Sequence, residues 1–366
     1  MKVAYVNGLC VQHDAISNSV AHEIRTLQRH DLEVKLFAYA CDQRVPFQPV
    51  ERIADIATAP DFLDADLVVF HFGIYYPLFD LLPLVPSSAK RLVVFHNVTP
   101  PELVPEARRD VIHQSFAQLS NMAWAHHVVC DSETNLRVLR DAGVRTPASV
   151  IPVAVDLPAD APQDKPSFND DVVRLLFVGR FVEAKGALHL VEVVRHALRA
   201  RADLLLRLDM LGNIGFSEPR VVEQLKAEFA QLREAFGSRV ELALHGNGSD
   251  ELKARLLADA DLFVLPSYHE GFCVPVVEAI ASGCRVVTYD NSNLPAISGG
   301  LSTLVPTGAL PLLCDAALAS IDEIRSVPWR TQGYAAYVEQ ASRHVAGFSP
   351  TTVSDRFMRL VGRLLN

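Results

Sequence analysis

The sequence predicts an α/β protein made of two doubly wound halves. Three observations carry this. Short apolar, β-branched runs alternate with longer stretches of helical period, and strands that alternate with helices form a parallel sheet covered on both faces. The alternation is broken by the Pro- and Asp-rich stretch LPADAPQDKPSFND between Asp156 and Asp171, then restarts. The length, 366 residues, is more than twice that of a usual single domain. The expected organisation is a first domain over 1–156, a linker over 157–170, a second domain over 171–348 and a final helix over 349–366.

In order, KVAYVNGL reads as a buried strand and SVAHEIRTLQRH as a helix with apolar residues three and four apart. EVKLFAYA, DLVVFHF and RLVVFHN follow as strands, the last two carrying His71 and His96 near their ends, and HHVVCDS and ASVIPVAV continue the series. Beyond the linker the strands are VVRLLFVGR, LLLRLDMLG, VELALHG, DLFVLPS and RVVTYD. Helices run through GALHLVEVVRHALRA, EPRVVEQLKAEFAQLREAF, SDELKARLLADA and about Val274 to Ser282. The last segment, PTTVSDRFMRLVGRLLN, is amphipathic and has no strand behind it. Ligands of open parallel sheets bind beyond the carboxyl ends of the strands, so residues just after strands are the informative ones.

Composition narrows the function classes. Hydrophobic residues are 49% and charged residues 21%, which fits an ordered globular chain. A formal charge of -9 gives no basic footprint for nucleic acid. The six cysteines are scattered without zinc-type spacing, as in a reducing compartment. The start lacks the pattern of a signal peptide, and no apolar run reaches membrane-spanning length, so the expected location is cytoplasmic. Arg25, Arg29, Arg108 and Arg109 fall on first-half helices, where they suit either a solvated face or peripheral contact with the inner face of an anionic membrane.

Two constellations carry chemistry. In Ser267–Val287, SYHEGFCVPVVEAIASGCRVV, Pro275 suits a first helical turn and Gly283 a helix end. The helix start near Phe272, Cys273 and Val274 offers backbone N–H groups and partial positive charge to an anion. Glu270 just outside it would repel a phosphate but accept from a sugar hydroxyl. Glu278 lies inside the helix among apolar residues, where an ionised carboxylate needs a partner. The bland readings are a first-turn charge for Glu270 and an ion pair with an arginine for Glu278. In the second constellation, FVGRFVEAKG, Gly179 allows a turn while Arg180 and Lys185 supply two cations from one strand end, enough to neutralise a diphosphate leaving group without a metal. Its bland reading is a solvated pair with Glu183 as local partner.

A G-R-x-x-x-x-K-G turn followed roughly ninety residues later by E-G-F-x-x-P-x-x-E-A-x-A-x-G resembles the retaining glycosyltransferases of the GT-B architecture, family 4, also called glycosyl transferases group 1. The resemblance implies two Rossmann-like domains facing across a cleft, with the C-terminal helix crossing back to the first. It implies that Arg180 and Lys185 hold the donor diphosphate, that Glu270, Gly271, Phe272, Cys273 and Val274 hold the donor sugar and its phosphate, and that Glu278 binds ribose. Gly8, Gly179, Gly246 and Asn247 fall where the family contacts the donor, and His96 where it carries a histidine close to the sugar. Arg180, Lys185, Glu270 and His96 are then the catalytic set. Asp14, His71, Tyr75 and Tyr76 are candidates for the acceptor side, against a helix cap for Asp14 and core packing for the tyrosines. In the family the residue at Cys273 is commonly Gly, and a positive φ there would strain a cysteine.

The expected activity is transfer of a sugar from a UDP- or GDP-linked donor to an acceptor hydroxyl with retention, in glycan, polysaccharide or glycolipid synthesis. The partners are the nucleotide sugar and a saccharide, lipid-linked saccharide or small-molecule acceptor, with no metal and no other cofactor. A GT-B sugar phosphorylase or synthase and a noncatalytic nucleotide-sugar-binding protein remain as alternatives.

Overall fold

The computed structural model describes residues 1–12, 14–158 and 163–366. The chain divides into two compact units, Met1–Ala154 with Phe348–Asn366, and Val155–Gly347. Each is built on a parallel sheet, and each sheet has a point where the strand order reverses.

In the first unit the sheet order is Phe47–Pro49, Glu33–Ala38, Lys2–Val6, Leu67–Phe72, Lys90–Phe95, His127–Cys130, Ala148–Val150. Its central strands are apolar on both faces because both are covered. One layer contains Phe70, Phe72, Phe79 and Phe95. The other is completed by helix Ala15–Arg29, through Val20, Ile24 and Leu27, and by helix Pro350–Leu365, through Val353, Phe357, Leu360 and Val361. Thr26 Oγ1 and Ser354 Oγ hydrogen-bond at 3.0 Å between these two helices. The C-terminal segment is thus part of the first unit's core.

In the second unit the order is Val240–Gly246, Leu205–Gly212, Val172–Val178, Leu262–Leu265, Arg285–Asp290, Ser302–Pro306. The edge strand Ser302–Pro306 was not legible in the sequence, and neither were helices Leu310–Arg325 and Tyr334–Val345. The strand order reverses between Val172–Val178 and Leu262–Leu265, which brings the loops after Val178 and Leu265 together.

The expected linker differs from what its composition implies. Residues 159–162 of it lie outside the described residues. From Lys165 onward the stretch is packed into the second unit: Lys165 is 2% exposed and its Nζ donates to Ala258 O at 2.8 Å and Ser282 O at 2.7 Å, with Leu257 O at 3.4 Å. Carbonyls at helix ends lack intrahelical partners, and a buried ammonium satisfies several at once. Ser167 Oγ then donates to the buried Asp261 at 2.5 Å. Pro158, Asp164, Asp170 and Asp171 are exposed, so the stretch is anchored through Lys165 and Ser167 while its acidic residues face solvent.

Candidate functional site

In the second unit the candidate residues gather at the strand-order reversal. After strand Val172–Val178 the chain passes Gly179 and the exposed Arg180, then makes a short 3₁₀ turn over Glu183–Lys185 that closes at Gly186 with φ +64. A Cβ on Gly186 would lie 2.3 Å from Pro266 O, so close approach as well as backbone angle requires glycine there. This contact fastens the turn to the neighbouring strand end, and Tyr268 N donates to Ala184 O at 2.9 Å across the same seam. The seam brings Lys185 Nζ to 2.5 Å from Glu270 Oε1, with Glu270 only 8% exposed. Arg180 has no side-chain partner among the described residues. Glu183 pairs instead with Arg220 at 3.3 Å, so the expected Glu183–Lys185 pairing is replaced by Lys185–Glu270.

Helix Val274–Ala281 begins directly after this seam, with Pro275 in its first turn. Cys273 is the N-cap, and its φ of +80 and ψ of +66 put a buried, non-glycine residue in the left-handed region. Burial first, and the adjoining Glu270 charge second, hold its thiol well above the usual range. Both effects favour the neutral thiol. Asn293 Nδ2 donates to Phe272 O at 3.2 Å and so fixes the loop before the helix. One turn in, Glu278 has the partner its burial demands, Lys253 Nζ at 2.7 Å, in place of the arginine expected. Burial alone would lower the Lys253 amine, but the Glu278 charge and hydrogen bond outweigh it and raise it.

Gly246 ends its strand in register with Gly212, and Asn247 follows with φ +51. Asn247 N donates to Gly212 O at 3.0 Å and its Oδ1 accepts from Ile214 N at 3.0 Å. These two residues therefore join two strand-end loops.

In the first unit, Gly8 follows strand Lys2–Val6 and its carbonyl accepts from Tyr39 N at 2.9 Å. Asp14 is the N-cap of helix Ala15–Arg29, its Oδ2 accepting from Ser17 N at 2.9 Å and Ser17 Oγ at 2.7 Å. Tyr76 is 8% exposed, packs on Phe72 and Phe79, and donates its hydroxyl to His71 O at 2.8 Å. It is a core residue, which corrects its assignment to an acceptor surface. Tyr75 is half-buried and its N–H donates to Ser115 Oγ at 2.8 Å.

His71 and His96 do not stand singly. His96 Nδ1 lies 2.6 Å from Asp131 Oδ2, His96 Nε2 lies 2.8 Å from His71 Nδ1, and His71 Nε2 lies 3.0 Å from Glu23 Oε2. Tyr5 Oη donates to the same Glu23 oxygen at 3.1 Å. Both ring nitrogens of His96 are thus engaged inside the unit, and a sugar cannot reach them without displacing Asp131 or His71. Burial lowers His96, but the charge and hydrogen bond of Asp131 dominate and raise it. Read from the sequence, none of Asp131, Glu23 and Lys253 carries a site role. Glu23 did leave a signal, a carboxylate three residues from Val20 and four from Leu27 on an apolar helix face.

Among the described residues no group of three or more His, Cys, Asp and Glu side chains converges to hold a metal ion, and no helix is long and apolar enough to cross a membrane.

Comparison with known proteins bears on this geometry. Residues 160–303 match the family model of glycosyl transferases group 1. A D-inositol 3-phosphate glycosyltransferase of Nocardioides sp. is 32% identical over 177 residues, 45% of this chain and 37% of that protein. An MMP alpha-(1->4)-mannosyltransferase of Mycolicibacterium hassiacum is 31% identical over 182 residues, 49% of this chain and 38% of that protein. These matches therefore span well under half of either relative. A solved glycosyltransferase from Rickettsia africae superposes with TM-score 0.75 over 100% of this chain and 99% of its own at 15% identity, which is likeness of fold. The chain has the GT-B fold, and its residues 160–303 are similar to the glycosyl transferases group 1.

Proposed function

We propose that the protein transfers a sugar from a nucleoside-diphosphate donor to an acceptor hydroxyl, with retention and without a metal. The observation that carries this is the Lys185–Glu270 contact beside the exposed Arg180, at the strand-order reversal and at the start of helix Val274–Ala281. A diphosphate is the ligand that suits two cations and a helix N-terminus. It competes with Glu270 for Lys185, and the released carboxylate accepts from a sugar hydroxyl. Glu278, paired with Lys253 Nζ through Oε1, is placed to accept from ribose hydroxyls. Arg180 and Lys185 stabilise the charge that grows on the leaving diphosphate, whose oxygen takes the acceptor proton. The second unit is the donor side in this reading. The first unit carries the acceptor, a saccharide, a lipid-linked saccharide or a small molecule, and the setting is cytoplasmic or at the inner membrane face.

The test is calorimetry and thermal shift with UDP, GDP, ADP and dTDP, with Mg²⁺ or chelator, on wild type and on Lys185→Ala and Glu278→Ala. One nucleotide should stabilise the wild type in chelator and fail on both variants. Its sugar conjugates then enter a transfer assay read by NMR of the product anomer. Binding by none of the nucleotides overturns the reading.

A further inference from the structure

The contacts around His96 fix a proton count. Three of them, Asp131 to His96, His96 to His71 and His71 to Glu23, are at 2.6, 2.8 and 3.0 Å, and each needs one proton. Two neutral imidazoles bring only two N–H groups. With both carboxylates ionised and both rings neutral, the outer contacts consume the two protons and leave two nitrogen lone pairs facing each other at 2.8 Å. That arrangement is repulsive in a buried site. A third proton between the rings removes the conflict, and the pair then carries one positive charge between two carboxylates. The rings are set to share it, with centroids 5.0 Å apart and planes 20° apart, nitrogen against nitrogen and edge to edge. Glu23 and Asp131, the two ends of the chain, also line one small cavity together with His22, Thr26 and Ser354.

We propose that Glu23, His71 and Asp131 are positioning residues that hold His96 as one half of a proton-sharing, singly charged imidazole pair, so that it works as a cation at neutral pH and gives up that charge only on the alkaline side. The groups facing the pair come from every element around it. Strand Lys2–Val6 brings Tyr5, helix Ala15–Arg29 brings Glu23 with His22 beside it, and the helix cap brings Asp14. The end of strand His127–Cys130 brings Asp131, while helix Pro350–Leu365 brings Val353, Ser354 and Phe357 to the cavity, with Ser354 Oγ bonded to His22 Nε2 at 3.0 Å. Three carboxylates therefore face the pair, which favours keeping its third proton. The proton count stands by itself; its effect on rate rests on the transfer reading above.

Glu23→Gln is the decisive change. A glutamine amide can donate to His71 Nε2 while Tyr5 turns its hydroxyl to accept, so the ring contacts persist with only two imidazole protons. The first readout is ¹⁵N and ¹H NMR of the histidine rings in full-length protein without nucleotide, from pH 6 to 9. The expected result is three N–H protons on His71 and His96 in wild type, one far downfield, and two in Glu23→Gln. One N–H per ring in wild type at neutral pH overturns the proposal. The second readout is the pH profile of kcat/KM for transfer. In Glu23→Gln the alkaline limb should move to lower pH by about one unit, roughly a tenfold loss on that side. An unmoved limb, with three protons seen in wild type, overturns the positioning role. Failure of every donor to react, with three protons seen, overturns the transfer reading and leaves the proton-sharing pair established.

Discussion

The strand ends of the two units handle charge in different ways. In the second unit the carboxylates are taken up in separate Lys–Glu pairs, Lys185 with Glu270 and Lys253 with Glu278. In the first they are strung into one chain, carboxylate to imidazole to imidazole to carboxylate. A separate pair can be opened by a ligand that replaces one partner, at the cost of that pair alone. A chain cannot be opened at one link without changing the proton count of the rest. The first arrangement suits exchange with a substrate and the second suits permanence.

Breaking one member of each arrangement sharpens this contrast. The largest effect expected is on rate: Lys185→Ala should lower kcat by about 10²- to 10³-fold with little change in melting temperature, because the residue stabilises developing charge and not the fold. Equal loss of melting temperature and rate would make the pair structural. Next is Asp131→Ala, which leaves a buried imidazolium without its partner and should cost about 3 kcal/mol, read as a drop in the thermal midpoint. If it costs nothing, the chain is not a unit. Lys165→Ala strips helix-end carbonyls of their donor and should cost about 2 kcal/mol.

The pH dependence is smaller and has a definite sign. His96 is raised in the fold, so the stability it contributes is complete below the unfolded value of about 6.5 and disappears as pH rises through the folded value. The melting temperature should therefore fall on the alkaline side in wild type, and Asp131→Asn should flatten that fall. Smallest is Cys273→Gly, which relieves a left-handed backbone at the price of a buried thiol's packing and should stabilise by about 0.5–1 kcal/mol. A destabilised glycine variant would mean that thiol packing outweighs backbone strain.

Sequence reading recovered what is periodic or local. The central strands are uninterrupted apolar runs, and the motif from Ser267 to Val287 announces its helix through Pro275 and Gly283. The positive φ at Cys273 was also expressible as an expectation, since a cysteine where glycine is common raises that question. Partners were harder. Lys253 reaches Glu278 from another helix, and Lys165 meets carbonyls 92 to 117 residues away in a stretch whose composition reads as linker. Helix Leu310–Arg325 and strand Ser302–Pro306 were missed because short, mixed apolar runs do not separate strand from helix by period. Tyr76 shows the same limit at one residue, since only the fold reveals that its hydroxyl is consumed by the carbonyl of His71.

The first unit's use of residues 353–361 has a consequence for biosynthesis. As the chain emerges from the ribosome, strands Lys2–Val6 to Ala148–Val150 appear early, but the apolar face over Val20, Ile24 and Leu27 waits for Val353, Phe357 and Leu360. The whole second unit is translated in that interval. The nascent first unit thus leaves that apolar face uncovered until its last helix is made, and the second unit, contiguous in sequence, is free to fold before the unit that precedes it.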